Sequence, residues 1–322
     1  MKHFDIAVIG AGIVGSTAAL SLARAGYHVA LVEAHEPKAW SGGNPDLRVV
    51  ALAADNQKLL DSCGVWKKIA GRRVQFYTEM RVWDAAAGNE LHLTARQQAQ
   101  ESLGAIVENN NIADALWQAI KQEGRIHCFC PDKIETIEQE RDVTIHLQSG
   151  ATFKAGLVLG ADGASSKVRE LLGLKTDKKD YGQRGLVAYV RTAESHRNTA
   201  WQRFLPTGPL AFLPFSDGRC SIVWTLPNDE AERLLQCDDE SFCRELTRAF
   251  DARLGDVTEV SKRAAFPLQR QLSKEMLVGR VALIGDAAHA VHPLAGQGVN
   301  LGLRDVAALL ELLGEAKTTP EH

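Results

Sequence analysis

Gly10-Ala11-Gly12-Ile13-Val14-Gly15 stands between a short apolar run, residues 4–9, and a helical pattern over residues 16–25 that Gly26 ends. This spacing suits a turn that cradles phosphate. Gly10 makes the tight turn, Gly12 lets the backbone meet a pyrophosphate, and Gly15 lets helix pack on strand. A second β-rich run, residues 29–32, ends at Glu33, whose carboxylate can accept from a pair of ribose hydroxyls. An acid there favours an adenosine ribose without a 2′-phosphate. Strand, glycine turn, helix, strand and acid together point to a bound dinucleotide and leave NAD and FAD both open.

Two later strand-to-loop junctions carry acids. Leu157-Val158-Leu159-Gly160 runs into Ala161-Asp162-Gly163, and Val281-Ala282-Leu283-Ile284 runs into Gly285-Asp286. A carboxylate delivered by a strand's carboxyl end sits where α/β sheets bind ligands, and it can accept hydrogen bonds from ligand hydroxyls. Past Asp286, Gly296 and Gly298 let backbone approach a planar ring. Val299, Val306, Leu309, Leu310 and Leu313 then mark one face of a helix. Its N-terminus aims unpaired amides and a partial positive charge at whatever the loop holds, which suits a group that becomes anionic. Arg48 can pair with phosphate or equally with a surface acid. His289 and His292 titrate near neutral pH and invite a base reading, although structural roles fit them better.

Composition narrows the classes. In 322 residues, 45% apolar and 24% charged, there is room for a large core and about two domains. The 37 basic and 40 acidic residues give −3, so no basic footprint argues for nucleic acid. No apolar run approaches the roughly 20 residues of a membrane span. Asp5 and the glycine turn break the stretch a signal peptide needs. The expected location is the cytoplasm, with room for peripheral contact with a membrane. Cys128-Phe129-Cys130 has no second pair at zinc spacing, and the histidines form no H-E-x-x-H, so no metal is expected.

The positioning elements follow from periodicity. A dehydrogenase would continue with βα units after Glu33, but residues 37–45 read as a polar loop and residues 74–93 as short inserted strands. Ile106 to Asn109 opens a helix through Ile112, Leu116 and Ile120. Residues 126–153 read as a meander, 175–180 as a solvated charged connector, and 185–227 as an antiparallel sheet with a hairpin turn at Asp217-Gly218. Residues 228–254 read as helical. The expected fold is α/β: a Rossmann-like dinucleotide domain with an inserted antiparallel β-sheet. Residues 1–72, 106–180 and 276–322 make the first domain; 73–105 and 181–275 make the second, substrate domain.

Three motifs, in this order, resemble those of the single-component flavoprotein aromatic hydroxylases, the para-hydroxybenzoate hydroxylase-like class. They are Gly10-x-Gly12-x-x-Gly15 with Glu33, Gly160-Ala161-Asp162-Gly163-x-x-Ser166-x-x-Arg169, and Gly285-Asp286-Ala287-Ala288-His289. Asp46-x-Arg48, Gly64-Val65-Trp66, Val107-Glu108-Asn109, Phe212-Leu213-Pro214 and the run from His292 to Gly302 are similar to the ubiquinone-biosynthesis hydroxylase family. The resemblance implies FAD, held by Gly10, Gly12, Val14, Gly15, Glu33 and Arg48. It places Asp286 on the ribityl chain and the Gly296–Asn300 stretch, with Gly298 and Val299, against the pyrimidine edge of the flavin. It gives Asp162 and Gly163 to the pyrophosphate region and to NAD(P)H. Many relatives carry arginine where Asn109 stands, and a flavin contact is expected there too.

The activity so implied is hydroxylation of the phenol ring of a polyprenylated ubiquinone precursor. NAD(P)H reduces FAD, O₂ adds at flavin C4a, and the distal oxygen passes to the ring. The cofactor carries the difficult chemistry, and the protein binds, orients and excludes water. No catalytic residue is assigned; Pro293 and Leu294 are expected on the flavin side, with Phe212, Leu213, Pro214 and Phe266 near the ring or its tail. Other ubiquinone-biosynthesis proteins are expected partners. The same fold also serves isoprenoid reductases and could serve a non-catalytic flavin-fold subunit; a halogenase lacks support, because no W-x-W-x-I-P segment occurs. Relatives continue with further helix, so the family's C-terminal region is expected to be absent from this chain.

Overall fold

In the computed structural model, residues 1–86, 89–291 and 297–318 are described. Apolar runs bounded by glycines become parallel strands. Ile126–Phe129, Val29–Val32, Lys2–Ile9, Thr152–Gly160 and Val281–Leu283 lie side by side in that order, all parallel. Leu277–Val278 closes one edge antiparallel, and the hairpin Ile134–Gln139 and Val143–Leu147 continues from Thr152–Gly160. Such a sheet is covered on both faces, which explains why Val29–Val32 is apolar at every position. Ile6 and Val8 face a core shared with helices Ile13–Arg24, Asn109–Ile120 and Gln297–Thr318; Ala7 and Ile9 face the opposite core, where Phe129 stacks on Phe153 at 4.8 Å.

A second, largely antiparallel sheet of nine strands is built on Thr176–Thr192, Cys220–Pro227, Gly208–Pro214 and Thr199–Leu205. Glu79–Asp84 and Glu90–Thr94 extend one edge, and Ala264–Ser273 flanks the other side. Helices Asn228–Gln236 and Asp239–Ala249 cover one face around Phe212, Trp224, Phe242 and Phe250. A small sheet of Val49–Leu52, Gly104–Glu108 and Val74–Tyr77 meets the other face, where Tyr77, Ile106 and Ala200 gather Val49, Ala51 and Leu213. The chain is therefore α/β, a Rossmann-like parallel sheet with an inserted antiparallel one.

Three local readings need correction. Residues 175–180 are not a free connector: Thr176–Asp180 begins the 17-residue strand Thr176–Thr192, with Asp177 ion-paired to Arg270 across the ladder. Alternating charge on a half-exposed strand looks like a solvated loop in sequence. Ile106 to Glu108 is strand, and the helix starts only at Asn109. The helical stretch 228–254 is two helices, divided where Asp238 caps the second by accepting from the Ser241 amide at 2.8 Å.

Candidate active site

The carboxyl ends of four parallel strands deliver the motif residues to one crevice: Ile9 leads to the glycine turn, Val32 to Glu33, Gly160 to Asp162, and Leu283 to Asp286. A cavity of about 660 Å³ opens there, lined by Gly12, Val14, Glu33, Arg48, Asn109, Gly163, Asp286, Gly298 and Val299 among others. A second cavity of about 520 Å³ adjoins it, bounded by Gly10, Gly12, Glu33, Asp162, Gly163 and Lys167. The two share Gly12, Glu33 and Gly163, so they form one elongated trough over the glycine turn.

The glycines are required for different reasons. A Cβ on Gly15 would lie 2.0 Å from the Gly10 carbonyl oxygen, so Gly15 is consumed by the packing of helix on turn. Gly10 combines φ +102° with a Cβ position 2.6 Å from the Ala161 oxygen. Gly12 differs: no atom lies within 4 Å of its Cβ position, and it caps the helix Ile13–Arg24 with no side-chain bond. Its smallness leaves room for a ligand, and the first-turn amides face that room.

Around this turn the acids are held by backbone. Glu33 accepts from the amides of Ala11 (2.5 Å) and His35 (3.0 Å), one on each oxygen, which leaves lone pairs toward the trough. Asp162 accepts from the amides of Lys167 and Val168 at the start of the short helix Lys167–Leu171, which Ser166 caps, while its other oxygen is buried without a partner. The side-chain oxygens of Asn109 and Asn110 are likewise buried and unpartnered at the cavity wall. Orphaned acceptors are costly unless a donor arrives. Asp286 is reached by water from the cavity yet walled by protein, and desolvation raises its pKa, opposed by the charge of His289.

The wall is fixed by residues that the motifs do not name. Glu108, fully buried, pairs with Arg73 at 3.0 Å through both oxygens and accepts from the Asp46 amide at 2.8 Å. Tyr189, from the antiparallel sheet, donates to the Asp46 carbonyl at 2.6 Å. The Asp46–Arg48 segment is thus gripped from two sheets. Asp305 accepts from the Gly285 amide and from His289. The available signals were an acid ending a buried strand, Glu108, and an acid within the apolar stripe of the last helix, Asp305.

Some expected site residues lie elsewhere. Asn300 does not line the cavity with its side chain: its oxygen accepts from Ala53 N and Asn56 Nδ2, both at 2.9 Å, and its amide donates to Ala51 O. It ties the last helix to the strand Val49–Leu52. Phe212 is not on a site face; it is fully buried and stacks on Phe250 at 3.7 Å, beneath the helices. Strand alternation turns Leu213 the other way, to the apolar seam with Tyr77, Ile106 and Ala200. Pro214 is buried with Phe212's side of the strand, and Phe266 is 43% exposed. Pro293, Leu294, Gly296 and His292 fall outside the described residues.

A glycine turn at a helix start, with ribose- and hydroxyl-accepting acids at neighbouring strand ends, defines a protein that holds a dinucleotide. The model of the FAD binding domain family matches residues 3–319, and the chain belongs to that family of FAD-dependent monooxygenases. The 3-demethoxyubiquinol 3-hydroxylase of Escherichia coli is 35% identical over 322 residues, spanning 98% of this chain and 81% of that protein. Ubiquinone hydroxylase UbiL of Rhodospirillum rubrum is 38% identical over 317 residues, 98% of this chain and 73% of its own. The crystal structure of PqsL, a probable FAD-dependent monooxygenase from Pseudomonas aeruginosa, superposes with a TM-score of 0.81 at 24% identity, covering 98% of this chain and 87% of that one; this likeness concerns fold. The chain is a flavin-dependent aromatic monooxygenase of the NAD(P)H-using class. The open cradle at Gly12 and the orphaned oxygens of Asn109, Asn110 and Asp162 fit the cofactor.

Proposed function

We propose that this protein hydroxylates the aromatic ring of a polyprenylated phenol on the way to a quinone. The reaction inserts one atom of O₂ into a ring C–H bond and releases the other as water, with two electrons from NAD(P)H. The observation that carries this reading is the convergence of four strand ends on one trough. The substrate class is taken from relatives whose names are those of ubiquinone hydroxylases.

FAD, when bound, supplies the passage of electrons from NAD(P)H to O₂. This chain's residues do the rest. The amides behind Gly12 meet the pyrophosphate, Glu33 accepts from the adenosine ribose, and Asp162 and Gly163 border the phosphates. Asp286 accepts from the ribityl hydroxyls. Arg48 and Asn109 close the wall, and the N-terminus of the last helix at Gly298 and Val299 meets the ring edge with positive potential, worth up to about 2 kcal/mol where partly buried. Leu213, Tyr77, Ile106 and Ala200 keep water from the reacting ring, since water diverts the oxygen to peroxide. We read the parallel sheet as the cofactor domain and the antiparallel sheet as the substrate domain, with the long apolar tail permitting contact with a membrane surface. Among the described residues, no helix is long and apolar enough to cross one.

The test is complementation of ubiquinone-deficient strains, each blocked at one ring hydroxylation, with the accumulated intermediates identified by mass spectrometry. Restoration of quinone in one such strain supports the reading. Failure in all of them, with flavin bound, contradicts the substrate class.

A further inference from the structure

The loop between the strands Val29–Val32 and Val49–Leu52 forms one side of the trough: His35, Pro37, Lys38, Asp46 and Arg48 line the same cavity as Gly12. Residues 33–48 contain no helix or strand, so side chains must hold them in place. Both ends are tied. Glu36 accepts from Trp117 Nε1 at 3.1 Å and from Lys121, and Asp46 is gripped by Glu108 and Tyr189. The middle hangs on Trp40. Arg72 lies over its ring at 4.7 Å and Arg73 at 5.4 Å. Each guanidinium is fixed by a buried carboxylate, Arg72 by Asp114 at 2.6 Å and Arg73 by Glu108 at 3.0 Å. Arg73 also donates to the Gly42 carbonyl at 3.0 Å and to that of Gly43. Gly42, at φ +69°, folds the chain back until its Cβ position is 3.4 Å from the Trp40 ring. Trp40, Arg72 and Arg73 line neither cavity, so they act on a ligand only through this loop.

We infer that residues 35–48 are a strap that opens and closes as the flavin dinucleotide enters and leaves, and that Trp40, held by Arg72 and Arg73, is its latch. This rests on the reading that the trough holds FAD. The closed strap brings Lys38 and Arg48 to the cavity that the first-turn amides behind Gly12 also face, so a pyrophosphate there meets cations as well as amides. Among the described residues no carboxylate pairs with Lys38, and Arg48 meets only its neighbour Asp46, at 4.0 Å. Both cations are left for a ligand's phosphates. The latch works through the ring's face, since Trp40 Nε1 is buried with no partner. An aliphatic side chain of similar bulk lacks the quadrupole that attracts the two guanidiniums. The latch is made within the chain alone, in the empty and the loaded protein alike. A contact present equally in two states shifts no equilibrium between them, so the latch sets the rates of exchange and cancels from the affinity.

The experiment follows FAD entering and leaving the flavin-stripped full chain by stopped-flow flavin fluorescence, in the wild type, Trp40→Leu and Trp40→Phe. Trp40→Leu is expected to speed entry and exit alike, each by about tenfold, with little change in affinity. Trp40→Phe keeps an aromatic face and is expected to bring both rates back to within about threefold of the wild type. Faster exit with unchanged or slower entry is what a wall missing one contact gives, and that result overturns the inference. Wild-type rates in Trp40→Leu, or equal rates in the leucine and phenylalanine variants, overturn it too. If Trp40→Leu does not fold, Arg72→Lys decides by the same two rates, because it keeps a charge for Asp114 and loses the planar group over the ring. Lys38→Gln leaves the latch intact and is expected to lower FAD affinity about tenfold without speeding entry. Wild-type affinity in that variant overturns the strap's role at the phosphates. A wild type that binds no FAD sinks the reading of the trough itself, an outcome told apart because it appears before any variant is compared.

Discussion

At the scale of residues, Phe212 and Leu213 are neighbours in sequence with opposite duties. Phe212 fills the core beneath two helices, whereas Leu213 faces the seam between the sheets. Phe212→Ala should destabilise by about 3–5 kcal/mol, measured by urea unfolding. Leu213→Ala should remain well folded and raise the peroxide released per NAD(P)H consumed. Equal peroxide yields in folded Leu213→Ala and wild type would remove Leu213 from the water-excluding wall. Asp286→Ala should weaken FAD binding by about tenfold to a hundredfold, because a hydrogen bond to a charged group is worth about 1.5–3 kcal/mol; flavin titration reads this directly. The reacting residue types were legible in the sequence: Gly12, Glu33, Asp162 and Asp286 each follow a strand, and each comes to the trough. Their supports were not. Asp305, Arg73 and Tyr189 act through partners 16 to 143 positions away, and no local pattern encodes such pairings.

At the scale of elements, the last helix is seated by absence of side chain. A Cβ on Gly302 would lie 2.6 Å from Val14 Cγ2 and 3.1 Å from the Gly285 α-carbon, so the helix can approach the glycine turn and the Asp286 turn only with glycine there. Gly302→Ala should destabilise by about 1–3 kcal/mol through overpacking, read by thermal unfolding, and should lower FAD affinity in the same protein. Unchanged flavin affinity would separate the helix seat from the cofactor wall. The apolar stripe that announced this helix is where expected, with Val306 buried and Val299, Leu309, Leu310 and Leu313 against the same core. Asn300 shows the limit of such reading. Its place beside a glycine run suggested a ligand contact, but the backbone of Ala51 and Ala53 takes its side chain. The strand Gly104–Glu108 was hidden for a related reason, since an apolar run flowing straight into a helix carries no turn residue to mark the change.

At the scale of the whole molecule, the parallel sheet supplies the trough, and the Asp46–Arg48 segment at its wall is held by the small sheet through Glu108 and by the antiparallel sheet through Tyr189. That joint makes the cofactor wall sensitive to how the two sheets sit together. The most direct measurement incubates the FAD-loaded protein with NAD(P)H, ¹⁸O₂ and a polyprenylated phenol, and follows the phenol by mass spectrometry. The account predicts a product carrying one ¹⁸O on the ring. A protein that binds FAD and consumes NAD(P)H yet leaves the phenol unlabelled, or saturates its prenyl double bonds without O₂, would contradict it.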